Sequence, residues 1–310
     1  MSIIIVNWNT RALLSDCIRS IQRETSISYE VIVIDNFSSD GSVEWLRDKF
    51  PDVYVIENNE NKGFASANNQ GIEIARGNHV LLLNPDTVIL ENAIDRMVSW
   101  LSDKPDVGCV GCQVWETEAD IQITCFADPR PINLAIVTFG LMRLADWFPV
   151  LGRPWYRNWD RCSERDVDVV SGMFMLVPRP VLECVGPLDS SFFVYAEEAD
   201  WCRRIRKAGW RCVFTPEARI LHLDGGSKST AQIKSRMYVQ MQKSHLIYAR
   251  KHDGRFGHAL VKALFILSAF LRFGLFGLLR LVRSDETTLA RVRLSGAALR
   301  YHIARQEPIS

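Results

Sequence analysis

The first hundred residues alternate between two hydrophobic patterns. Short runs rich in Val, Ile and Leu are separated by segments whose apolar positions recur every three or four residues. The short runs SIIIVN, EVIVID, VYVIEN and HVLLL predict four strands, and the segments after them predict helices. Strands that alternate with helices in this way form a mostly parallel, mixed central sheet with helices on both faces. The sequence therefore predicts an α/β fold.

Polar residues follow each of the four predicted strands. In order along the chain they are Asn7, Trp8 and Asn9, then Asp35 and Asn36, then Asn58 and Asn59, then Asn84 and Asp86. Asn and Asp also make turns and helix caps, which accounts for any one of these positions. Four polar strand ends in succession favour a ligand crevice, because open α/β sheets bind ligands beyond the carboxyl ends of their strands. No GxGxxG or GxxxxGK[ST] follows a strand, which argues against a dinucleotide dehydrogenase or a P-loop NTPase.

A second cluster of polar residues follows a less regular stretch at about 116–165. It contains the acidic residues Glu197, Glu198 and Asp200, and then His222 at the end of a predicted strand. The acids could be catalytic, or they could complement the positive end of a helix dipole. A lone histidine at a strand end is more often structural than catalytic. From the residues alone, both alternatives stay open.

Charge and cysteines change the picture in two ways. The formal net charge is +1, but the chain from Lys234 onward carries +10, so residues 1–233 carry −9. A basic tail suggests an anionic membrane surface or nucleic acid as its partner.

The eight cysteines lie among apolar neighbours and predict reduced, buried thiols, including the CxxC of Cys109 and Cys112. We expect no signal peptide and no uninterrupted apolar stretch of membrane-spanning length.

Residues 258–283 combine a wide apolar surface with a narrow basic stripe. At about 100° per residue, Lys262, Arg272, Arg280 and Arg283 fall within an arc of roughly 80°. The helix could pack on the protein core with this stripe in solvent, or it could lie on a membrane surface. We favour the membrane, because a basic stripe beside a Phe/Leu face is typical of interfacial helices. We expect no nucleic-acid binding, since bulky aliphatic residues interleave the basic ones and no binding module surrounds them.

Seven stretches of the chain, in a fixed order from Ser2 to about Ser227, resemble one known family. They are IVNWNT, VIVIDNFSSDGS, NKGFASANNQG, LLLNPDT, VSGMFML, FFVYAEEADWCRRIRKAGW and HLDGGS. Together they resemble the family 2 glycosyltransferases, in particular the bacterial rhamnosyltransferase-like branch. The resemblance implies a GT-A fold with a nucleotide-sugar-binding half at 1–115 and an acceptor-binding, catalytic half at 116–233. The basic, apolar helical region at 234–310 would then associate with membranes.

The same resemblance assigns a metal site and a donor site. NPD stands at the family's DxD motif, so Asp86 would bind Mg²⁺ or Mn²⁺, His222 would complete the metal shell, and Asn84 replaces the first acid. Asp35 stands where the family binds the nucleobase, with Asn7 and Asn9 nearby. Asn68 replaces an arginine that contacts the diphosphate in some relatives. Trp8 either stacks on a ring or fills the sheet edge.

For the catalytic base, the resemblance points to Glu198, where the family usually has Asp. Glu is longer by one methylene, so Glu197 and Asp200 remain alternatives for this role. A carboxylate beside the acceptor hydroxyl accepts its proton as the oxygen attacks the anomeric carbon, which inverts the configuration.

We therefore expect an inverting, metal-dependent glycosyltransferase on the cytoplasmic face of the plasma membrane. Its donor would be a dTDP- or UDP-sugar, with dTDP-rhamnose suggested by the branch alone, and its acceptor a lipid-linked saccharide in surface polysaccharide assembly. Two alternatives stay open. One is a nucleotidyltransferase, although NWNTR is a poor phosphate loop. The other is an inactive saccharide-binding subunit, suggested by Asn84 and Glu198.

Overall fold

The computed structural model describes residues 1–117, 120–223, 234–282 and 285–304. The end of the HLDGGS motif and Arg283 of the predicted basic stripe lie outside these residues. The chain forms two compact units. The sheet unit comprises Met1–Asp128, Trp155–Phe193 and Glu197–Ser229, and the helical unit comprises Pro129–Pro154, Val194–Ala196 and Thr230–Ser310. The functional division into halves at residues 115 and 233 stays a prediction.

The sheet unit is built on one nine-stranded mixed sheet. Its strands are β1 (Ser2–Asn7), β2 (Glu30–Asp35), β3 (Tyr54–Glu57), β4 (His79–Leu83), β5 (Thr87–Ile89), β6 (Val107–Trp115), β8 (Arg165–Asp166), β10 (Phe174–Pro178) and β11 (Arg211–His222). The order is β3-β2-β1-β4-β10-β6-β11-β5, and β8 pairs with β11. The first four strands run parallel, whereas β10 is antiparallel to both of its neighbours. The short strands β7 (Cys125–Phe126) and β9 (Val169–Val170) form a separate pair.

Helices cover both faces of this sheet. Those of the sheet unit are α1 (Arg11–Glu24), α2 (Ser42–Lys49), α3 (Gly63–Ile74), α4 (Ala93–Ser102), α6 (Arg179–Val185) and α7 (Glu197–Lys207), and α5 (Pro131–Thr138) belongs to the helical unit. Ile3 and Ile5 of β1 belong to a core cluster with residues of α1, α2 and α4. Ile4 points to the opposite face, because side chains alternate along a strand. There α3 comes so close that a Cβ on Gly71 would lie 2.6 Å from Ile4.

The predicted mixed α/β sheet is confirmed, with additions that the periodicity did not predict. Strand β5 follows the NPD turn, and three residues are too few to produce a pattern. It forms by pairing antiparallel with the end of β11, where Thr87 lies opposite His222. Strand β11 continues beyond the β-rich run RCVFT (211–215), because β6 and then β5 supply backbone partners for residues 219–222.

The helical unit contains α5, two 3-10 helices (Leu141–Leu144 and the start of Pro149–Trp155), α8 (Lys234–His252), α9 (Gly254–Arg280) and α10 (Glu286–Ala304). Its small core joins α5, α8 and α9 through Leu134, Leu246, Ala249, Val261 and Phe265. Helix α10 is attached by a hydrogen bond of 2.7 Å between His302 Nε2 and Gln242 Oε1.

Helix α9 bears on the expectation about membrane-spanning length. It contains an 18-residue window with a mean hydropathy of 1.9, of which 22% is buried, so its length and composition alone would allow it to cross a membrane. The apolar run in α9 is interrupted by Lys262 and Arg272, as expected from the sequence, but these few basic residues leave its mean hydropathy high.

The cysteines also differ in part from the prediction. Cys162 and Cys184 are exposed, whereas the other six thiols are buried. Cys184 is exposed because the neighbouring Val181 and Leu182 form the inward face of α6. Cys109 and Cys112 are three positions apart on β6, so their side chains point to opposite faces of the sheet. Cys112 joins the main core, and Cys109 lies with Cys202 and Cys212 in a buried cluster of three thiols within 4.8 Å of one another.

Candidate active site

The sheet topology brings the predicted site residues to one edge. Asn7 and Asp35 are the last paired residues of β1 and β2. The antiparallel strands β5 and β10 begin at this edge, since Thr87 pairs with His222 and Phe174 pairs with Leu83 at the end of β4. The carboxyl ends of β1, β2, β4 and β11 therefore meet the amino ends of β5 and β10.

Asn7 and Asp35 are buried and directly bonded. Asn7 Nδ2 donates to Asp35 Oδ1 at 2.7 Å, and the backbone N–H of Ser38 donates to Asp35 Oδ2 at 2.9 Å. Thr10 Oγ1 donates to Asn7 Oδ1 at 2.7 Å. Each oxygen of the Asp35 carboxylate thus has a fixed partner, which holds the loops after β1 and β2 in one arrangement.

Asn9 joins the same two loops from the outer side. It has a left-handed backbone (φ 56°), and its Oδ1 accepts the backbone N–H of Ser39 at 2.8 Å. Its own N–H donates to Ser38 Oγ at 2.9 Å. Trp8 is half-buried between these anchors, and its indole forms no hydrogen bond with the residues that the structure describes. The structure leaves both of its predicted roles open.

Asn68 bonds within its own helix and not to the Asn7–Asp35 pair. Its amide donates to the carbonyl of Phe64, one turn earlier in α3, at 2.9 Å, and the side chain is buried. The structure therefore commits the donor group of Asn68 to its own helix.

A network of amide side chains below α3 was only partly predicted. Asn36 Oδ1 accepts the backbone N–H of Lys62 at 3.0 Å, and Asn36 Nδ2 donates to Asn61 Oδ1 at 2.9 Å. Asn58 and Gln70 exchange two hydrogen bonds of 2.9 Å. Asn36 and Asn58 stand out in the sequence as polar strand ends, whereas Asn61 and Gln70 become recognisable only when α3 is placed above them.

Gly63 allows a close approach at the start of α3. It has a φ of 79°, and a Cβ there would lie 2.3 Å from the carbonyl oxygen of Phe193. The backbone N–H of the next residue, Phe64, donates to that same oxygen at 2.6 Å. The segment just before α7 is therefore fixed against the loop that follows β3, at the edge where the other site residues lie.

Asp86 and His222 form the predicted pair. His222 Nε2 lies 3.1 Å from Asp86 Oδ2, and the two residues are only 4% and 5% exposed, respectively. The backbone supports the contact, since the N–H of Leu223 donates to the carbonyl of Asp86 at 2.8 Å. Asp86 Oδ1 and His222 Nδ1 are buried and have no hydrogen-bond partner within the described part of the chain. An unpaired carboxylate oxygen beside an imidazole is a suitable partial ligand set for a divalent cation.

The NPD turn explains how a buried strand can end in such a group. Asn84 uses its backbone twice: its N–H donates to Met173 at 3.1 Å, and its carbonyl accepts the Thr87 hydroxyl at 2.7 Å. Pro85 fixes the intervening φ angle. The chain thus reverses within three residues and presents Asp86 toward β11. The side-chain amide of Asn84 is half-buried and has no hydrogen-bond partner among the residues described.

Glu197 and Glu198 begin α7, directly after two residues with left-handed backbones, Tyr195 and Ala196 (φ 70° and 65°). Each glutamate has a buried Oε2 atom without a hydrogen-bond partner among the described residues. Burial raises the pKa of Glu198 to about 7. Burial, and then the neighbouring charge of Glu198, raises the pKa of Glu197 well above its usual value. Both glutamates therefore bind a proton more tightly than an exposed glutamate does, and Glu198 can exchange one near neutral pH.

Asp200 has a different environment. It is fully buried, and Arg204 Nε donates to its Oδ2 at 2.9 Å. The same guanidinium donates to the carbonyls of Val185 at 2.8 Å and Pro187 at 2.7 Å. Asp200 therefore helps to hold α7 against the chain that follows α6.

The comparisons with known proteins agree with this architecture. Residues 2–185 match the family described as glycosyl transferase family 2. An N-acetylglucosaminyl-diphospho-decaprenol L-rhamnosyltransferase of Mycobacterium tuberculosis is 26% identical over 82% of this chain and 85% of its own. A low-salt glycan biosynthesis hexosyltransferase of Haloferax volcanii is 27% identical over 67% of this chain and 62% of its own.

Two solved structures share the fold. A mannosyltransferase from Pyrobaculum calidifontis, in complex with GDP-Man and Mn²⁺, has a TM-score of 0.53 and 17% identity and covers 98% of this chain and 86% of its own. GalNAc-T7 with UDP, GalNAc and Mn²⁺ has a TM-score of 0.54 and 17% identity over 82% of this chain and 50% of its own. The fold and the strand-end site define a glycosyltransferase with a GT-A-like sheet. The chain belongs to glycosyl transferase family 2.

Proposed function

We propose that this enzyme transfers a sugar from a nucleotide-sugar donor to a lipid-linked saccharide, with inversion at the anomeric carbon. The observation that carries the proposal is the buried Asp86–His222 pair with its unpartnered carboxylate oxygen at the sheet edge. The carboxyl of Glu198, whose pKa burial raises to about 7, also supports it.

In this proposal Glu198 is the general base. The acceptor hydroxyl attacks the anomeric carbon and loses its proton to Glu198, while the bond between that carbon and the nucleoside diphosphate oxygen breaks. A base with a pKa near the working pH is effective, because it is largely ionised and still basic enough to accept the proton. The pKa of the neighbouring Glu197 is also raised well above its usual value, which disfavours a second negative charge beside Glu198.

Asp86 and His222 are the residues that would hold a divalent cation. The buried, unpartnered Asp86 Oδ1 supports this assignment, since an unpaired buried carboxylate oxygen costs free energy unless it has a partner. A bound Mg²⁺ or Mn²⁺ would offset the negative charge that develops on the diphosphate leaving group. The half-buried amide of Asn84 lies two residues from Asp86 and would orient a ribose hydroxyl or a water molecule there.

The loops after β1 and β2 would bind the nucleotide. Asp35, fixed by Asn7 and Ser38, would accept hydrogen bonds from the nucleobase through lone pairs that its protein partners leave available. Trp8 would cover the base or the sheet edge. Asn68 contributes from α3, with its carbonyl oxygen as the group that its own helix does not use.

The donor and acceptor identities come from the relatives. The rhamnosyltransferase of M. tuberculosis is named for an N-acetylglucosaminyl-diphospho-decaprenol acceptor. We propose the same transferred sugar and the same acceptor class for this enzyme: rhamnose, activated as dTDP-rhamnose, and a polyprenyl diphosphate-linked sugar. A lipid-linked acceptor and a soluble donor would place the enzyme on the cytoplasmic face of the plasma membrane.

Helix α9 would attach the enzyme to that membrane. Its exposed side carries Phe256, Leu260, Leu267, Phe270 and Leu278, which fall within an arc of about 80° on the helix. Lys262 and Arg272 are half-buried on the side that carries the buried Val261 and Phe265, whereas Arg280 of the basic stripe is exposed. The apolar side of α9 faces outward, which supports contact with lipid and not a helix buried in the core.

Two other functions were open from the sequence. Membership of the glycosyltransferase family argues against a nucleotidyltransferase. The buried, unpartnered carboxyl oxygens of Asp86 and Glu198 favour a working enzyme over the alternative of an inactive saccharide-binding subunit.

A thermal-shift screen of nucleotide sugars with and without Mn²⁺ tests donor binding. A ligand present at about one hundred times its dissociation constant should stabilise the fold by about 2.7 kcal/mol. We expect this shift with dTDP-rhamnose and Mn²⁺ together. No stabilisation by any nucleotide sugar, with or without the metal, would contradict the proposal.

A further inference from the structure

Exposed apolar side chains are concentrated in the helical unit. Of the large apolar side chains exposed in the described residues, eighteen lie in that unit and five in the larger sheet unit. Charge divides in the same way. The helical unit contains 17 Lys/Arg and 5 Asp/Glu, a balance of +12, so the sheet unit carries −11. A basic unit that exposes apolar side chains complements an anionic lipid surface.

Helix α9 accounts for only part of this surface. A second group lies in residues 139–150, the 139–150 segment, which follows α5. Trp147 is 79% exposed, Val150 68% and Phe148 56%, and Phe139, Leu141 and Leu144 are each more than one-third exposed. The attachment proposed above for α9 assigns no task to these side chains.

The 139–150 segment is ordered by its own hydrogen bonds. The N–H groups of Trp147 and Phe148 donate to the carbonyl of Leu144 at 3.1 and 2.9 Å. Met142 and Ala145 are buried and anchor the turn from inside. A folded turn therefore holds the exposed aromatic side chains outward. Binding a partner would then cost little further conformational entropy of the backbone.

The segment is also tied to α9 within the same unit. Leu134 of α5 shares a core with Val261 and Phe265 of α9. Arg272 of α9 donates a hydrogen bond to the carbonyl of Thr138, the last residue of α5. A bilayer that takes up α9 is thus within reach of the segment that begins at Phe139.

The composition indicates where in a bilayer the segment belongs. Trp147 and Phe148 are flanked by the exposed Arg143 and Arg153. Tryptophan is enriched at the level of the lipid headgroups, and arginine beside it can contact phosphate. We propose that the 139–150 segment is a second membrane-contacting element, which inserts Trp147 and Phe148 into the headgroup layer of the anionic bilayer that binds α9. This inference rests on the proposed membrane attachment and extends it.

Flotation of the full chain with vesicles of phosphatidylcholine and phosphatidylglycerol tests the inference. The double variant Trp147→Ser/Phe148→Ser should lose about tenfold or more in vesicle affinity, since two large apolar side chains no longer leave water. Tyr54→Ser, which removes a 60% exposed aromatic of the sheet unit, is the matched control and should bind as the native chain does.

Brominated lipids provide a second measurement that does not depend on the double variant. They should quench part of the tryptophan fluorescence of the native chain, and Trp147→Phe should remove that quenching while Trp100→Phe preserves it. The inference would be overturned if the native chain binds the vesicles, the double variant binds them with unchanged affinity, and Trp147→Phe leaves the quenching unchanged. That result would leave the attachment by α9 intact. Loss of self-association in the double variant, with vesicle affinity unchanged, would assign the segment to a second copy of the chain instead. A native chain that ignores the vesicles would contradict the proposed attachment itself.

Discussion

His222 Nε2 lies 3.1 Å from Asp86 Oδ2 because strand β5, which follows the NPD turn, pairs with the end of β11. Two residues from distant parts of the chain thus form one buried group, while Asp86 Oδ1 and His222 Nδ1 keep no hydrogen-bond partner among the described residues. The contact between the two side chains therefore leaves one polar atom of each without a partner among the described residues. This arrangement is what we expect of residues that hold a cation on a diphosphate.

Asp86→Asn should abolish Mn²⁺-dependent nucleotide binding and leave the fold intact. The amide keeps the size of the side chain but removes the negative charge that a divalent cation requires. Calorimetric titration of dTDP with and without Mn²⁺ measures the effect, with the exposed Asp52→Asn as control. Equal Mn²⁺-dependent affinity in the Asp86 variant and the native chain would remove Asp86 from the metal site.

The pKa of Glu198 predicts how activity depends on pH. A base must be ionised to act, so kcat/KM should rise about tenfold per pH unit up to about pH 7 and level off above it. Glu197→Gln should keep this midpoint, since burial rather than Glu197 raises the pKa of Glu198. A profile that is flat between pH 5 and 8 would exclude Glu198 as the base.

Ionisation of Glu198, which favours activity, should lower the stability of the folded protein. The folded-state pKa of Glu198 lies above its usual value of 4.5, so folding favours the protonated form. The native chain therefore loses stability as pH rises through about 7, and Glu198→Gln escapes this loss. Above pH 7 the variant should be more stable by up to about 3 kcal/mol, as measured by denaturant unfolding. A stability difference between Glu198→Gln and the native chain that is the same at pH 5 and at pH 8 would show that Glu198 is not buried in the folded state.

Asp200→Ala should destabilise the protein without moving the midpoint of the pH–activity profile. It leaves Arg204 without its carboxylate partner, which costs about 2–4 kcal/mol in a partly buried pair. A lower thermal midpoint with the pH profile retained would support a structural role. If Asp200→Ala instead has the thermal midpoint of the native chain and loses the pH-dependent activity, Asp200 rather than Glu198 is the base.

The outward face of α9 should govern membrane attachment. Leu267→Glu/Phe270→Glu places two charges on the exposed apolar arc and should prevent flotation with anionic vesicles, whereas Tyr54→Glu should not. Truncation after residue 250 would be a poorer test, because it also removes Val261 and Phe265 from the core of the helical unit. Unchanged flotation of the double variant would contradict the role of α9.

Hydrophobic patterning predicted β1, β2 and β4 because each is a continuous apolar run that is buried in the sheet. It also predicted β3, a shorter and less buried strand at the edge of the sheet. It could not predict β5, which depends on its partner β11 more than on its own three residues. The partnership of Asp86 with His222 was expected only through the family resemblance, since no local pattern links them. The helical period grouped Arg272 with the other basic residues of α9. It could not predict that Arg272 binds the carbonyl of Thr138 in α5, because that carbonyl comes from a distant part of the chain.

Transfer of radiolabelled rhamnose from dTDP-rhamnose to a polyprenyl diphosphate-linked N-acetylglucosamine, in anionic vesicles with Mn²⁺, tests the central claim most directly. We expect product with the native chain and a ~10²–10⁴-fold lower rate with Glu198→Gln, whose donor binding stays intact in the thermal-shift assay. Glu197→Gln should lose far less. Product formed at the native rate by the Glu198 variant would contradict the proposed mechanism. No transfer by the native chain from dTDP-rhamnose or any other nucleotide sugar would contradict the proposed function.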